Sequence, residues 1–280
     1  MPSLYARMAR TVIHALPLYN GKGRIIDRTP LARLSFDTDT LDVQCAEGFT
    51  LRVWPNDLIG RHLYLTGRFD RCVTEVLVKD AASGACLWDI GANIGSIGCA
   101  FLASVPNSHV VAFEPLADIA ALCRHNLAQF EPSRVDLIEA AVSDRVGVGA
   151  MNRVSGNTGR SYVVNPPEVG SENGVRLVDA SALAGLPWPD VVKIDVEGHE
   201  VAVLRGLRPI LELARPAQVV FEHHQDGRAV DPELLEIFES LGYDVLRIGG
   251  KWHGFVLAPY DRPRPGYEPC ADFVAQLRTP

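Results

Sequence analysis

The chain has 280 residues, of which 47% are hydrophobic and 22% are charged, a composition typical of a soluble globular protein with a substantial core. Disordered and fibrous classes are excluded. The 27 Lys and Arg residues against 34 Asp and Glu residues give a formal net charge of −7, which repels polyanions and favours a small-molecule ligand over a nucleic acid.

Residues 1–84 are predicted to form a helix and a β appendage packed on the main domain. A short amphipathic helix is expected over residues 3–16, either as a packing arm or homo-oligomer contact or, alternatively, as a lipid contact. Residues 31–66 contain alternating apolar and polar positions between turn residues, which predicts a small set of antiparallel strands. The apolar stripe of the predicted helix consists of Leu4, Met8, Thr11, Val12 and Ala15.

Neither a signal peptide nor a membrane-spanning segment is expected. The apolar stretch after Arg7 and Arg10 is short and ends at Pro17, and no apolar run approaches the roughly 18 residues that a membrane helix needs. The 6 cysteines include no C-x-x-C pair, which argues against a zinc site and favours reduced thiols in the core. Reduced thiols predict a cytoplasmic protein.

Residues 85–258 repeat one theme, a short apolar run, a turn and an amphipathic helix. This alternation predicts a doubly wound, mostly parallel sheet with helices on both faces, the Rossmann-like α/β class, with an antiparallel last strand. The predicted strands are residues 85–90, 109–113, 135–138, 191–194, 218–221, 243–248 and 254–258. The predicted helices lie near residues 95–104, 118–129, 199–211 and 231–241.

Two segments depart from this repeat. Residues 150–175 are rich in Gly, Asn, Ser and Pro, and a loop of that length is predicted to be either a lid over a binding site or a solvated surface loop. Residues 259–280 carry Pro263, Pro265 and Pro269 and are predicted to form an extended tail.

The first predicted core strand leads into Asp89-Ile-Gly91-Ala-Asn93-Ile-Gly95 and then a helix. The glycines permit a tight turn and close approach of a ligand, and the free N–H groups at the helix start favour an anionic group. A Rossmann oxidoreductase would use the same physics. Its G-x-G-x-x-G pattern is incomplete here because Asn93 and Ser96 stand at the second and third glycine positions.

The next strand ends at Glu114, 19 residues after Gly95, where an acidic side chain can accept hydrogen bonds from two ribose hydroxyls. This spacing favours an adenosine-containing cofactor. The alternative is a surface glutamate that caps the following helix. After the third strand, the small residues around Ala141 are suited to contact an adenine ring.

Ionisable residues cluster at the ends of the fourth and fifth strands. The fourth is followed by Asp195, Glu197 and His199, and the fifth ends in Glu222 and His223. Because neighbouring parallel strands end at one edge, Asp195 and Glu222 are expected to project into one cleft, where they could deprotonate a hydroxyl or hold a divalent cation. The alternative for each residue is a helix cap, a salt bridge or a core histidine.

These motifs together resemble the FkbM family of S-adenosylmethionine-dependent methyltransferases, and the likeness extends over residues 40–258. The resemblance implies a class I methyltransferase fold with S-adenosyl-L-methionine as cofactor. It places Glu114 at the ribose and Ala141 at the adenine. The residues implied at the methionine part of the cofactor are Asp89, Gly91, Asn93 and Gly95.

The resemblance also implies O-methylation of a hydroxyl on a small molecule, such as a sugar, a glycolipid or a polyketide. The candidate catalytic residues are Asp195, His199, Glu222 and His223, with Asp195 and His199 preferred as base. A magnesium ion (Mg2+) shared by Asp195 and Glu222 is a further hypothesis, since it would lower the pKa of the alcohol. The alternatives are an NAD(P)-dependent oxidoreductase and a non-catalytic module that has kept the cofactor pocket.

Overall fold

A computed structural model of the chain describes residues 2–154, 156–164, 172–224, 230–251, 254–260 and 270–278. The helices in this part of the chain are α1 (Leu4–Ala15), α2 (Lys22–Asp27), α3 (Leu58–Thr66), α4 (Arg71–Lys79), α5 (Ser96–Ser104), α6 (Ala117–Leu127), α7 (Glu200–Ala214) and α8 (Pro232–Ser240). The strands are β1 (Leu41–Gln44), β2 (Thr50–Val53), β3 (Cys86–Ile90), β4 (His109–Phe113), β5 (Val135–Ile138), β6 (Ala141–Val142), β7 (Gly147–Asn152), β8 (Tyr162–Val164), β9 (Glu172–Val178), β10 (Val191–Ile194), β11 (Gln218–His224), β12 (Tyr243–Lys251), β13 (Gly254–Pro259) and β14 (Cys270–Leu277).

The main sheet has eight strands in the order β13-β12-β14-β11-β10-β3-β4-β5. Strands β3, β4, β5, β10 and β11 are parallel, and β14 runs antiparallel to its neighbours β11 and β12. The predicted Rossmann-like sheet is therefore confirmed. The strand order reverses between β3 and β10, which is where ligands bind in open sheets of this kind.

The core strands are apolar because helices cover the sheet on both sides. Every residue of β3 is buried, and so is every residue of β10. Leu87 and Val220 pack on the face covered by α4 and α5, while Trp88 and Phe221 pack on the face covered by α7 and α8. Successive side chains of a strand thus enter different cores, and this parity decides which polar groups meet at the strand ends.

Strand β14 corrects the prediction of an extended tail over residues 259–280. Its residues pair with β11 from Gln218–Gln276 to His224–Cys270, so this strand lies inside the sheet. Phe273, Val274 and Ala275 are buried because both sheet faces are covered. Pro263, Pro265 and Pro269 lie outside the described residues.

The predicted hairpin of the appendage is present as β1 and β2, but the prediction of β structure up to residue 66 is wrong for α3. Asp57 caps α3 by accepting a hydrogen bond from the Ile59 N–H at 3.1 Å. Gly67, with φ +70°, ends the helix in the left-handed conformation. These two local signals outweigh the apolar alternation that suggested strands.

Helix α1 is confirmed, but its predicted apolar stripe faces solvent. Leu4, Met8 and Val12 are 66%, 60% and 60% exposed, whereas the small residue Ala6 and the apolar Ile13 are buried. The helix packs against α3 through this narrower face. The stripe is thus available to a partner and stays the predicted oligomer contact.

Residues 150–175 are more regular than a loop. Parts of this segment belong to a second sheet with the order β6-β9-β7-β8, and residues 158–160 form a short 3-10 helix. Ser155 and residues 165–171 lie outside the described part of the chain.

Among the described residues, none of the helices is both long and apolar enough to cross a bilayer. The cysteines whose side chains are described are free, and all except the half-buried Cys72 are buried.

Gly206 fixes the contact between α7 and the second sheet. A Cβ atom at this position would lie 1.8 Å from the carbonyl oxygen of Ser143. We therefore expect Gly206→Ala to lower the free energy of unfolding by about 1–3 kcal/mol, although alanine normally stabilises a helix interior. The matched control is Gly147→Ala, where a Cβ would meet nothing within 4 Å. Chemical denaturation of both variants measures the difference, and equal stabilities would contradict this packing.

Candidate active site

A cavity of about 910 Å³ lies at the carboxyl ends of β3, β4, β10 and β11, where the strand order reverses. Its volume is in the range of small-molecule sites. The turn after β3 and the end of β4 line it, as do residues 157–161 and, from the second sheet, Met151 and Val163. Leu58, Ile59 and His62 of α3 complete it.

The turn after β3 is held between two neighbouring strands. The N–H groups of Gly91 and Ala92 donate to the Phe113 carbonyl at 3.0 and 2.9 Å. Gly91 has φ +77°, and a Cβ there would lie 1.9 Å from the Asp195 carbonyl oxygen. Only glycine fits this position. The turn therefore presents Gly91 and Asn93 to the cavity in a fixed geometry.

Glu114 is the buried acid of this wall, with 5% of its surface exposed. Its two carboxylate oxygens accept hydrogen bonds from the backbone N–H groups of Asn93 at 3.1 Å and Leu116 at 3.0 Å. Burial raises the pKa of Glu114 to about 7, while these two hydrogen bonds lower it. The side chain does contact the start of α6, as the capping alternative predicted, but it is buried and lines the cavity rather than the surface.

Lys193 is a charged residue that sequence reasoning missed. Its Nζ atom lies 3.3 Å from Asp89 Oδ1 and 3.4 Å from Asp195 Oδ2, and it donates to the Gly91 carbonyl at 2.7 Å. Burial lowers the pKa of Lys193, but Asp195 and Asp89 outweigh burial and raise it, so the ammonium stays charged. A lysine inside the otherwise apolar run of β10 was the available signal.

Several acidic side chains surround this ammonium. Burial raises the pKa of Asp195 to about 7, Lys193 opposes that rise, and the nearby carboxylates of Glu222 and Glu197 add to it. Asp70 lies among the same groups and is reached by solvent through the cavity. Burial and the charges of Asp272, Glu222 and Asp195 raise its pKa well above the usual value, against Lys193.

Asp70 and Asp272 were not predicted because the fold brings them from distant parts of the sequence. Asp70 precedes α4, and Asp272 lies in β14, which pairs Asp272 directly with Glu222. The Asp195 carboxyl group, whose pKa is raised to about 7, is suited to accept a proton at neutral pH. Among the described residues, no group of three or more His, Cys, Asp or Glu side chains is arranged to hold a metal ion, so the Mg2+ hypothesis gains no support.

The two predicted histidines have different places. His199 lines the cavity at the start of α7, and its Nε2 atom lies 3.0 Å from Ser143 Oγ. Burial lowers the pKa of His199, and Asp144 and Glu200 oppose that effect. His223 is buried on the other face of β11, where Nε2 accepts from the Asp231 N–H at 3.3 Å. Strand parity turns His223 away from Glu222, so it does not line the cavity, and its prediction as a catalytic residue gains no support.

Most of the predicted site residues meet in this one cavity. Those that line it are Gly91, Asn93, Glu114, Ala141, Asp195, His199 and Glu222. Asp89 and Gly95 do not line it. Asp89 is fully buried and pairs with Lys193. A Cβ at Gly95 would lie 3.0 Å from Cys123 Sγ, so Gly95 packs against α6 and not against the cavity.

The model of the family described as "Methyltransferase FkbM domain" matches residues 89–245, more than half of the chain. Hexuronic acid methyltransferase AglP of Haloferax volcanii is 29% identical over 169 residues, which are 59% of this chain and 66% of AglP. 2-O-methyltransferase NoeI of Sinorhizobium fredii is 30% identical over 164 residues, 52% of this chain and 65% of NoeI. The chain thus spans just under two thirds of the length of these relatives. Among solved structures, a TehB-like SAM-dependent methyltransferase from Corynebacterium glutamicum has 12% identity and a TM-score of 0.44, covering 78% of this chain and 94% of that chain.

Proposed function

The chain belongs to the FkbM methyltransferase family, and from this premise we propose that it transfers a methyl group from S-adenosylmethionine to a hydroxyl of a small molecule. The observation that carries the proposal is that one cavity holds both the buried carboxylate of Glu114 and the Asp195 carboxyl group, whose pKa is raised to about 7. We propose a sugar, glycolipid or polyketide hydroxyl as acceptor, and the names of AglP and NoeI support the sugar class.

The cavity wall fits the cofactor at the ribose. Each oxygen of Glu114 accepts one backbone hydrogen bond, and a carboxylate oxygen has about two lone-pair sites, so acceptor capacity is left for two hydroxyls. In this proposal Gly91 and Asn93 hold the methionine part and Ala141 contacts the adenine. When bound, S-adenosylmethionine supplies a methyl group made electrophilic by a positively charged sulfur.

The protein's contribution to the reaction is positioning and removal of one proton. An in-line displacement gains most from holding the hydroxyl oxygen against the methyl carbon. Asp195 is the proposed base, because its raised pKa suits proton acceptance at neutral pH and Lys193 holds its Oδ2 atom at 3.4 Å. His199, held by Ser143, and Glu222 are the other candidates in the same cavity.

Two further proposals, a lid and an oligomer contact, come from the sequence. Residues 157–161, part of the predicted lid segment 150–175, line the cavity, and we propose that this segment acts as a lid. The exposed stripe of α1 is the proposed contact of a homo-oligomer.

Calorimetric titration with S-adenosylhomocysteine and with NAD tests the proposed function. We expect saturable binding of S-adenosylhomocysteine and no binding of NAD, because Asn93 and Ser96 replace two glycines of the dinucleotide pattern. NAD binding without a response to S-adenosylhomocysteine would favour an oxidoreductase. Incubation with methyl-labelled S-adenosylmethionine and a panel of glycosides then reports transfer. Cofactor binding together with cellular function unaffected by Asp195→Asn would favour the non-catalytic module.

A further inference from the structure

A second cavity, of about 680 Å³, opens beside the reaction cavity and shares part of its wall. His62, Phe69 and Asp70 line both spaces, so a molecule whose hydroxyl lies among Asp70 and Asp195 can extend past these three side chains. The second cavity is lined mainly by the N-terminal helices and by the segment between α3 and α4.

Four Lys and Arg residues line the second cavity, in a chain whose net charge is −7. They are Arg10, Lys22, Arg68 and Arg71. Burial lowers the pKa of Lys22, and Arg71 and Arg68 lower it further. Burial also lowers the pKa of His14, together with Arg10 and Lys22.

Two of these four cations have no carboxylate partner among the described residues. Arg68 is paired with Glu47 and Arg71 with Glu75, each at 2.8 Å. Lys22, in contrast, donates only to the His14 carbonyl at 3.2 Å. The guanidinium of Arg10 lies over the Tyr64 ring, 5.3 Å from its centre. Half-buried cations that repel one another are stabilised by an anion placed between them.

The acidic residues of this cavity lie on the side that it shares with the reaction cavity. Asp70 and Asp272 line it there, next to Glu222 and Asp195 of the reaction cavity. The joined space is therefore acidic where a hydroxyl would lose its proton and basic where the far end of an acceptor would lie. A neutral acceptor would leave Lys22 and Arg10 without a counter-charge.

From this polarity we infer that the methyl acceptor is an anionic small molecule, whose carboxylate, sulfate or phosphate group binds Lys22 and Arg10 while its hydroxyl enters the reaction cavity. The inference rests on the proposed function, because it names the substrate class for that same reaction. The anion makes no covalent bond and acts only in binding.

The test compares acceptor analogues that differ in charge, with the protein saturated by S-adenosylhomocysteine. Methyl glucuronide, glucose 6-sulfate and glucose 6-phosphate are titrated calorimetrically against neutral methyl glucoside. We expect at least one anionic sugar to bind about tenfold or more tightly than the neutral one, and this advantage to shrink as salt is added.

Variants locate the effect. Lys22→Gln with Arg10→Gln is expected to reduce the affinity for the anionic sugar to that of the neutral sugar. The matched control is Lys79→Gln with Arg7→Gln, two exposed cations that line neither cavity, and it should bind as the original chain does. Equal affinities for charged and neutral sugars, no binding of any anionic sugar, or equal losses in both double variants would each overturn the inference.

Titration of S-adenosylhomocysteine itself separates the two levels of the proposal. Normal binding of S-adenosylhomocysteine with no preference for anionic sugars overturns the acceptor class alone. If the original chain does not bind S-adenosylhomocysteine, the proposed function is overturned. The Lys22 and Arg10 variants are expected to keep their affinity for S-adenosylhomocysteine, since neither residue lines the reaction cavity.

Discussion

Replacing Glu114 by Gln is expected to weaken S-adenosylhomocysteine binding by about a hundredfold. A hydrogen bond to a charged group contributes about 1.5–3 kcal/mol, and the proposal gives Glu114 two of them to the ribose. The amide also has only one oxygen for the two backbone N–H groups, of Asn93 and Leu116, that the carboxylate accepts. One of these donors would be left unpaired, or the turn after β3 would move.

The same carboxylate predicts how binding depends on pH. Burial raises the pKa of Glu114 to about 7 in the free protein. Because the ionised form is the better acceptor for two hydroxyls, affinity should fall as the pH is lowered, by about tenfold from pH 8 to pH 6. Glu114→Gln should lose this dependence, whereas Glu139→Gln, an exposed glutamate outside the cavity, should keep it. If Glu114→Gln bound S-adenosylhomocysteine with full affinity, Glu114 would not be the residue that binds the ribose.

The parallel part of the sheet could be predicted from the sequence because its strands are buried on both faces. Such strands are continuous apolar runs, as in β3 and β10, and each is followed by a helix with clear boundary residues. β14 could not be predicted in the same way. Its partners β11 and β12 lie earlier in the chain, and pairing between distant segments leaves little local signal beyond Phe273 and its neighbours.

The candidate site was predictable where one strand end carries several polar residues. The turn from Gly91 and the acid Glu114 follow directly from the position of strand ends in an open sheet. Strand parity was harder to use. Glu222 and His223 are adjacent in sequence but face different cores, and only the observed direction of β11 shows which one reaches the cavity. Asp70 and Asp272 needed the complete topology.

The acidic group identified in this way makes Asp195→Asn the sharpest test of the chemistry. We expect kcat to fall by about a hundredfold to ten-thousandfold, the usual contribution of a general base, while S-adenosylhomocysteine affinity changes little. Asparagine keeps the shape of the side chain, and the Asp195 carbonyl still packs on Gly91. Lys193 retains Asp89 as its partner, so the variant is expected to fold.

The control for this variant is Asp244→Asn, which removes a surface carboxylate paired with Arg278 and should leave kcat unchanged. The pH profile adds the decisive step. Asp195 has a pKa raised to about 7, so kcat in the original chain should rise through neutral pH and then level off. If Asp195→Asn keeps both the rate and this rise while His199→Gln loses them, the base is His199. Loss of the rise in Asp195→Asn alone instead assigns proton removal to the Asp195 carboxyl group beside Lys193.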